Sequence, residues 1–170
     1  LIGSYSINLG TTALRNILTK DLDPALPIVD ALKKSDQMLK ERMVAFFKNM
    51  GNAMNSSSET FCVSVGTAIT SATGKKNNAS QHDSVLSLES INEKIQTLTS
   101  KITDRFNTVA DLIEWEERMT DDQLDRVLTM RMGLPMFVLL MDKFNIPCIH
   151  VCGTGLWYGI YLQQLYNIPE

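Results

Sequence analysis

The chain has 170 residues, 44% hydrophobic and 21% charged, with a formal net charge of −3 and a pI near 5.4. That length suits one folded domain, 1–170, with its own core. The acidic balance argues against a dedicated nucleic-acid binder, because phosphate affinity needs clustered Lys and Arg and only the pair Lys75 and Lys76 approaches a cluster.

In chain order, residues 1–22 carry few charges, and a first short helix fits Thr11 to Lys20. Asp23-Pro24 is a start signal, an N-cap residue followed by proline at the first helical position. From there Ile28, Leu32, Leu39, Met43, Phe46 and Met50 keep helical register until Gly51. The span 24–50 is one helix, or two broken near Ser35. Residues 51–83 read as a polar loop enclosing an uncharged, small-residue segment, 60–74.

A long helix follows, capped at Asp83 or by the box Ser90-Ile-Asn-Glu93 and running to about Met119. Its apolar residues Leu88, Ile91, Ile95, Leu98, Ile102, Phe106, Val109 and Ile113 recur every three or four positions and form one narrow stripe. From Leu88 to Ile102 the stripe is a heptad seam. Arg105 then occupies the next core position and Phe106 takes over, a stutter that unwinds a supercoil. No Glu/Lys ladder flanks the seam, so the pattern favours a packed bundle over a coiled-coil dimer. The expected cover is the Ile28–Met50 face and the apolar tail.

A second capping box, Thr120-Asp-Asp-Gln123, starts a shorter helix carrying Leu124, Val127 and Leu128, with Gly133 and Pro135 as its end. Beyond it only Asp142, Lys143 and Glu170 are charged. Leu134 to Phe144 suits a buried helix, Ile146 to Val151 a strand, and Leu156 to Tyr166 another helix. Polar interruptions keep the tail from spanning a bilayer.

Three chemical readings attach to these segments. Gly153-x-Gly155-x-x-x-Gly159 after a short strand resembles a dinucleotide-binding turn, although no downstream acid follows to meet a ribose. Cys148, His150 and Cys152 alternate, so a strand places all three on one face. Zinc would need a fourth ligand such as Cys62 or His82. Seven acids between Asp111 and Asp125, relieved only by Arg118, read as a solvated helix face. With two histidines and no catalytic triad spacing, the sequence leans away from an enzyme. No cofactor, metal or catalytic residue is expected.

The compartment is read from weak signs. Cys62, Cys148 and Cys152 allow one disulfide and a free thiol, and Asn55 and Asn78 head glycosylation sequons. The chain starts at Leu1 rather than Met, as a processed chain or a fragment does. These signs tilt toward a secreted glycoprotein.

The sequence therefore implies a mainly α fold: a helical bundle on a long antiparallel hairpin, 24–50 with 84–119, and a C-terminal segment adding one short strand. The expected function is a non-enzymatic interaction or assembly module acting through helix packing, with a protein partner or a second copy. The alternatives are a membrane-active protein inserting 60–74 and an α/β nucleotide-binding fragment.

Overall fold

Helix α6 (Asp122–Phe144) is the element around which the others are arranged. The computed structural model describes residues 10–50, 63–64, 67–73, 84–118 and 121–151. In chain order these form α1 (Thr11–Asn16), a π-helical turn (Ile17–Asp21), α2 (Ile28–Met50), β1 (Val63–Ser64), α3 (Thr67–Ala72), β2 (Ser84–Ser87), α4 (Leu88–Thr103), α5 (Val109–Arg118), α6 and β3 (Cys148–Val151). The mainly α reading is borne out, and so is the short strand near the C-terminal end.

The stripe closes two cores. Leu88, Ile91, Ile95 and Leu98 pack in one, with Ile69 and Ala72 of α3, Leu134 and Met141 of α6, and Ile149 and Val151 of β3. Ile102, Phe106, Val109 and Ile113 pack in the other, with Leu14, Ile17 and Leu18, the apolar face of α2, and Leu124, Leu128 and Met132. α6 thus serves both cores along its length, with Leu124, Leu128, Met132, Met136, Leu139 and Leu140 toward one and Val127, Met130, Leu134, Phe137, Val138 and Met141 toward the other. Most of these side chains are almost wholly removed from water, each stabilising the fold by about 1.5–3 kcal/mol.

The expected helix over 84–119 is a strand and two helices. Ser84–Ser87 pairs with β3, so the cap of α4 is Ser87, not Asp83 or Ser90. Its hydroxyl accepts from the Ser90 N–H at 3.1 Å. At the stutter the helix stops instead of unwinding: α4 ends at Thr103, and Arg105 is exposed in the turn. α5 then starts afresh on a capping box, with Asp111 Oδ2 accepting from the Asn107 and Thr108 N–H groups at 2.8 and 3.0 Å.

The start of α2 also differs from the sequence reading. Asp23 makes a local turn, accepting from the Ala25 N–H at 2.9 Å, and the helix begins four residues later than Pro24. The reason is tertiary. The carbonyls of Pro24 and Leu26 accept from Ala110 and Val109, satisfying two donors that the first turn of α5 would otherwise leave bare. α2 then runs unbroken past Ser35, which is buried.

The two short helices predicted on either side of Gly133 and Pro135 are one. Gly133 is where α3 and α1 approach α6: a Cβ there would lie 2.7 Å from Ala68 Cβ and 3.0 Å from Thr11 Cγ2. Pro135 leaves the Arg131 carbonyl without its helical donor, and burial of both flanking halves outweighs that one lost bond. Asp121 caps the start, accepting from Gln123 and Leu124, and Asn145 ends the helix in the left-handed region at φ 53°.

One expected outcome follows from the α5 cap. The Asp111 carboxyl titrates below its ordinary value because the Thr108 and Asn107 N–H groups donate to it. A lowered folded pKa adds stability that is present above the unfolded value and lost as pH falls through the folded one. Asp111→Ala therefore lowers Tm at neutral pH, and its gap from the unsubstituted chain narrows below about pH 4. Thermal unfolding at about pH 3 and about pH 7 checks this; a gap of equal size at both would refute an ionised cap.

Candidate functional site

The three strands form a sheet in the order β1-β3-β2. β1 runs parallel to β3, with Val63 opposite His150 and Ser64 opposite Val151. β2 runs antiparallel, with Ser84 opposite Val151 and Ser87 opposite Cys148. The carboxyl ends of β1 and β3 and the start of β2 therefore meet at one edge, at Ser64, Val151 and Ser84. In sheets with parallel strands that edge is where ligands sit, because the chain leaves both strands there and turns toward its helices. From Ser64 the chain continues through Val65 and Gly66 into α3, and from Val151 into Cys152 and Gly153.

The sheet has a dry face and a wetter one. Ile149 and Val151 are buried against the second core, while Cys148 and His150 alternate onto the other face and are half-buried. Val85, opposite His150, is half exposed. Alternation thus places Cys148 and His150 as the sequence predicts. Cys152, Cys62 and His82, the other members of the predicted metal set, lie outside the described residues. Among the described residues no group of three His, Cys, Asp or Glu side chains is gathered to hold a metal.

What fixes the sheet's helical support is a buried ion pair absent from the sequence reading. Arg131 of α6 is 3% exposed and meets Asp36 of α2 with two parallel bonds, Nη1 to Oδ1 at 2.9 Å and Nη2 to Oδ2 at 2.7 Å. Its Nε donates to Thr99 Oγ1 of α4 at 2.7 Å, and that hydroxyl donates on to the Ile95 carbonyl. One side chain thus joins three helices. Near the other end of α2 the Phe47 and Phe144 rings meet edge-on at 5.6 Å, so α2 and α6 run side by side in the same direction. No sequence signal marks this pair; an Arg within an apolar helix and an Asp on an amphipathic one are each unremarkable alone.

Five of the seven acids in the acidic stretch have partners, and Glu117 and Asp122 are exposed as a solvated face predicts. Glu116 and Asp125 each lie 2.5 Å from the Arg15 guanidinium, Glu114 pairs with Arg118, and Asp111 and Asp121 cap helices. Arg15 also lies 6.0 Å from the centre of the Trp115 ring. Burial pulls its pKa down, but Glu116 and Asp125 more than offset this, leaving the pKa raised. The stretch stitches α1, α5 and α6 together.

Several predicted positions are settled or displaced. Within 60–74, the uncharged segment enclosed by the polar loop, Val63–Ser64 is a strand and Thr67–Ala72 a helix whose Ile69 and Ala72 lie in the core, as small residues packed on the helices would be. No described helix is long and apolar enough to cross a membrane. Asn55, Asn78, Cys62 and Cys152 lie outside the described residues, as do Gly153, Gly155 and Gly159.

The fold is similar to a solved structure of the Aquifex aeolicus PPX-GPPA enzyme, with a TM-score of 0.55 and 18% identity over 91% of this chain. The match covers 46% of that chain, so this chain spans about half its length. No protein-family model matches the sequence, and neither does any curated protein. The likeness corrects two expectations. The expected non-enzymatic helix-packing module has this finding against it, because the solved structure that shares its fold is an enzyme. The reading of a secreted, disulfide-bonded glycoprotein gains no support either: the Cys148 thiol is free, and the likeness is to an enzyme.

Proposed function

We propose that this chain is part of an enzyme built on the PPX-GPPA fold, with phosphatase-like chemistry, and that it supplies one wall of the ligand cleft. The observation that carries the reading is the likeness over 91% of the chain to that enzyme. The wall is the edge where Ser64, Val151 and Ser84 meet, since parallel strands present their ligands at their carboxyl ends. Its ligand is a phosphoryl oxyanion, which backbone N–H groups can hold without a charged side chain. Cys148 and His150 sit three and one residues before that end, on the wetter face, and add polarity beside it.

A backbone amide titration tests this directly. Inorganic pyrophosphate added to the isotope-labelled chain is expected to move the Ser64, Ser84 and Val151 amide resonances saturably, at millimolar concentration or below. Ile28 and Val109, at the far junction of α2 and α5, stay still. Sodium chloride at matched ionic strength serves as the control. Shifts confined to lysine-bearing helix faces, or equal shifts with chloride, would remove the strand edge as the site.

A further inference from the structure

A cleft of about 370 Å³ opens between α2, α4 and α6, apart from the strand edge. Its walls differ in chemistry. α2 contributes Lys33, Asp36, Gln37 and Lys40, at positions i, i+3, i+4 and i+7, so one face of that helix lines the cleft over about 10 Å. α6 contributes Pro135, Val138 and Leu139, and α4 adds Ile95 and Asn92 between them. A polar, cationic wall thus faces an apolar one.

The charges in the cleft are not balanced. Asp36 is the acid in the lining, and Arg131 neutralises it from behind through both of its oxygens. Lys33 reaches Asp30 only at 3.5 Å, on exposed surface where such a pair holds weakly. Gln37 donates to Glu41, one turn along α2. Lys40 and Asn92 have no hydrogen-bond or ion-pair partner among the described residues. Two ammonium groups and an amide therefore border a half-buried apolar wall formed by Ile95, Pro135, Val138 and Leu139.

We propose that this cleft binds a small organic anion with an apolar body. The acid group lies between Lys33 and Lys40, and the body lies against Ile95, Pro135, Val138 and Leu139. A bare inorganic anion leaves the apolar wall in water, and a neutral hydrophobe leaves both lysines unpaired; only a molecule with both parts uses both walls. The volume falls in the range of small-molecule pockets, roughly 300–1,000 Å³.

The probes are 8-anilino-1-naphthalenesulfonate, which has an aromatic body and one negative charge, and its neutral relative N-phenyl-1-naphthylamine. The sulfonate dye is expected to bind one per chain, saturably, and more tightly than the neutral dye. Lys33→Gln with Lys40→Gln, both exposed positions, weakens the sulfonate dye about tenfold and the neutral dye by less than about twofold. Leu139→Trp fills the cleft and weakens both dyes, with far-UV circular dichroism showing that the fold persists. Equal binding of the sulfonate dye by the double lysine variant would overturn the proposal. So would equal affinity for the two dyes, or binding that falls as protein concentration rises, which would show a second copy covering the cleft.

Discussion

Asp36→Ala is expected to destabilise the protein more than Arg131→Met, although both substitutions break the same ion pair. The Arg131 side chain is 4% exposed, so removal of Asp36 strands a guanidinium away from water with Thr99 as its remaining partner. Breaking a buried pair from one side costs about 3–5 kcal/mol, and the surviving Thr99 bond brings the expected loss to about 2–4 kcal/mol. Asp36 is 39% exposed and can turn to solvent when Arg131 goes. Methionine keeps most of the lost volume in the junction of α2, α4 and α6, so the expected cost of Arg131→Met is below about 1.5 kcal/mol. Urea unfolding of the two variants measures the order. The reverse order would mean that the junction depends on the bulk of Arg131 rather than on its charge.

Gly133→Ala is expected to cost about 1–3 kcal/mol, against its usual sign. In an open helix Ala is better than Gly by about 1 kcal/mol, and Gly133 lies inside α6. The added methyl, however, would stand 2.7 Å from Ala68 Cβ, a stub that cannot move without its helix. The test is a double-mutant cycle. Ala68→Gly clears the space, and the pair Ala68→Gly with Gly133→Ala should recover most of what Gly133→Ala alone loses. Additive losses would show that the contact between α3 and α6 is not what limits position 133.

These two positions also show where the sequence stops being legible. The apolar stripe could be read because burial imposes a local period, and every member of it is buried or half-buried in the structure. The stutter at Arg105 was visible too, but its outcome was not: a register shift can unwind a helix or end it, and the Thr108-to-Asp111 capping box decides for an end. That box is itself a sequence signal. Gly133 and Pro135 misled because their local cost is real and is outweighed by packing that only the folded chain supplies.

Less of the candidate site could be read. β1 is a two-residue strand, too short for any period, and its partner β3 lies more than eighty residues away in the chain. Pairing at that distance leaves no mark in either segment. The predicted alternation of Cys148 and His150 follows from the strand alone, while the parallel sense of the pair, which makes its end a ligand edge, comes from topology. The Asp36–Arg131 bond spans 95 positions and is equally silent.

A single helix serving two cores also determines how the molecule comes apart. α6 packs with α1, α2, α3 and α4, with Met132 in one core and Leu134 in the other. Neither core can open fully while its neighbour stays closed, because each needs α6 in place. The two are expected to open as one cooperative unit, with the amides of α6 the last among the described residues to exchange with deuterium.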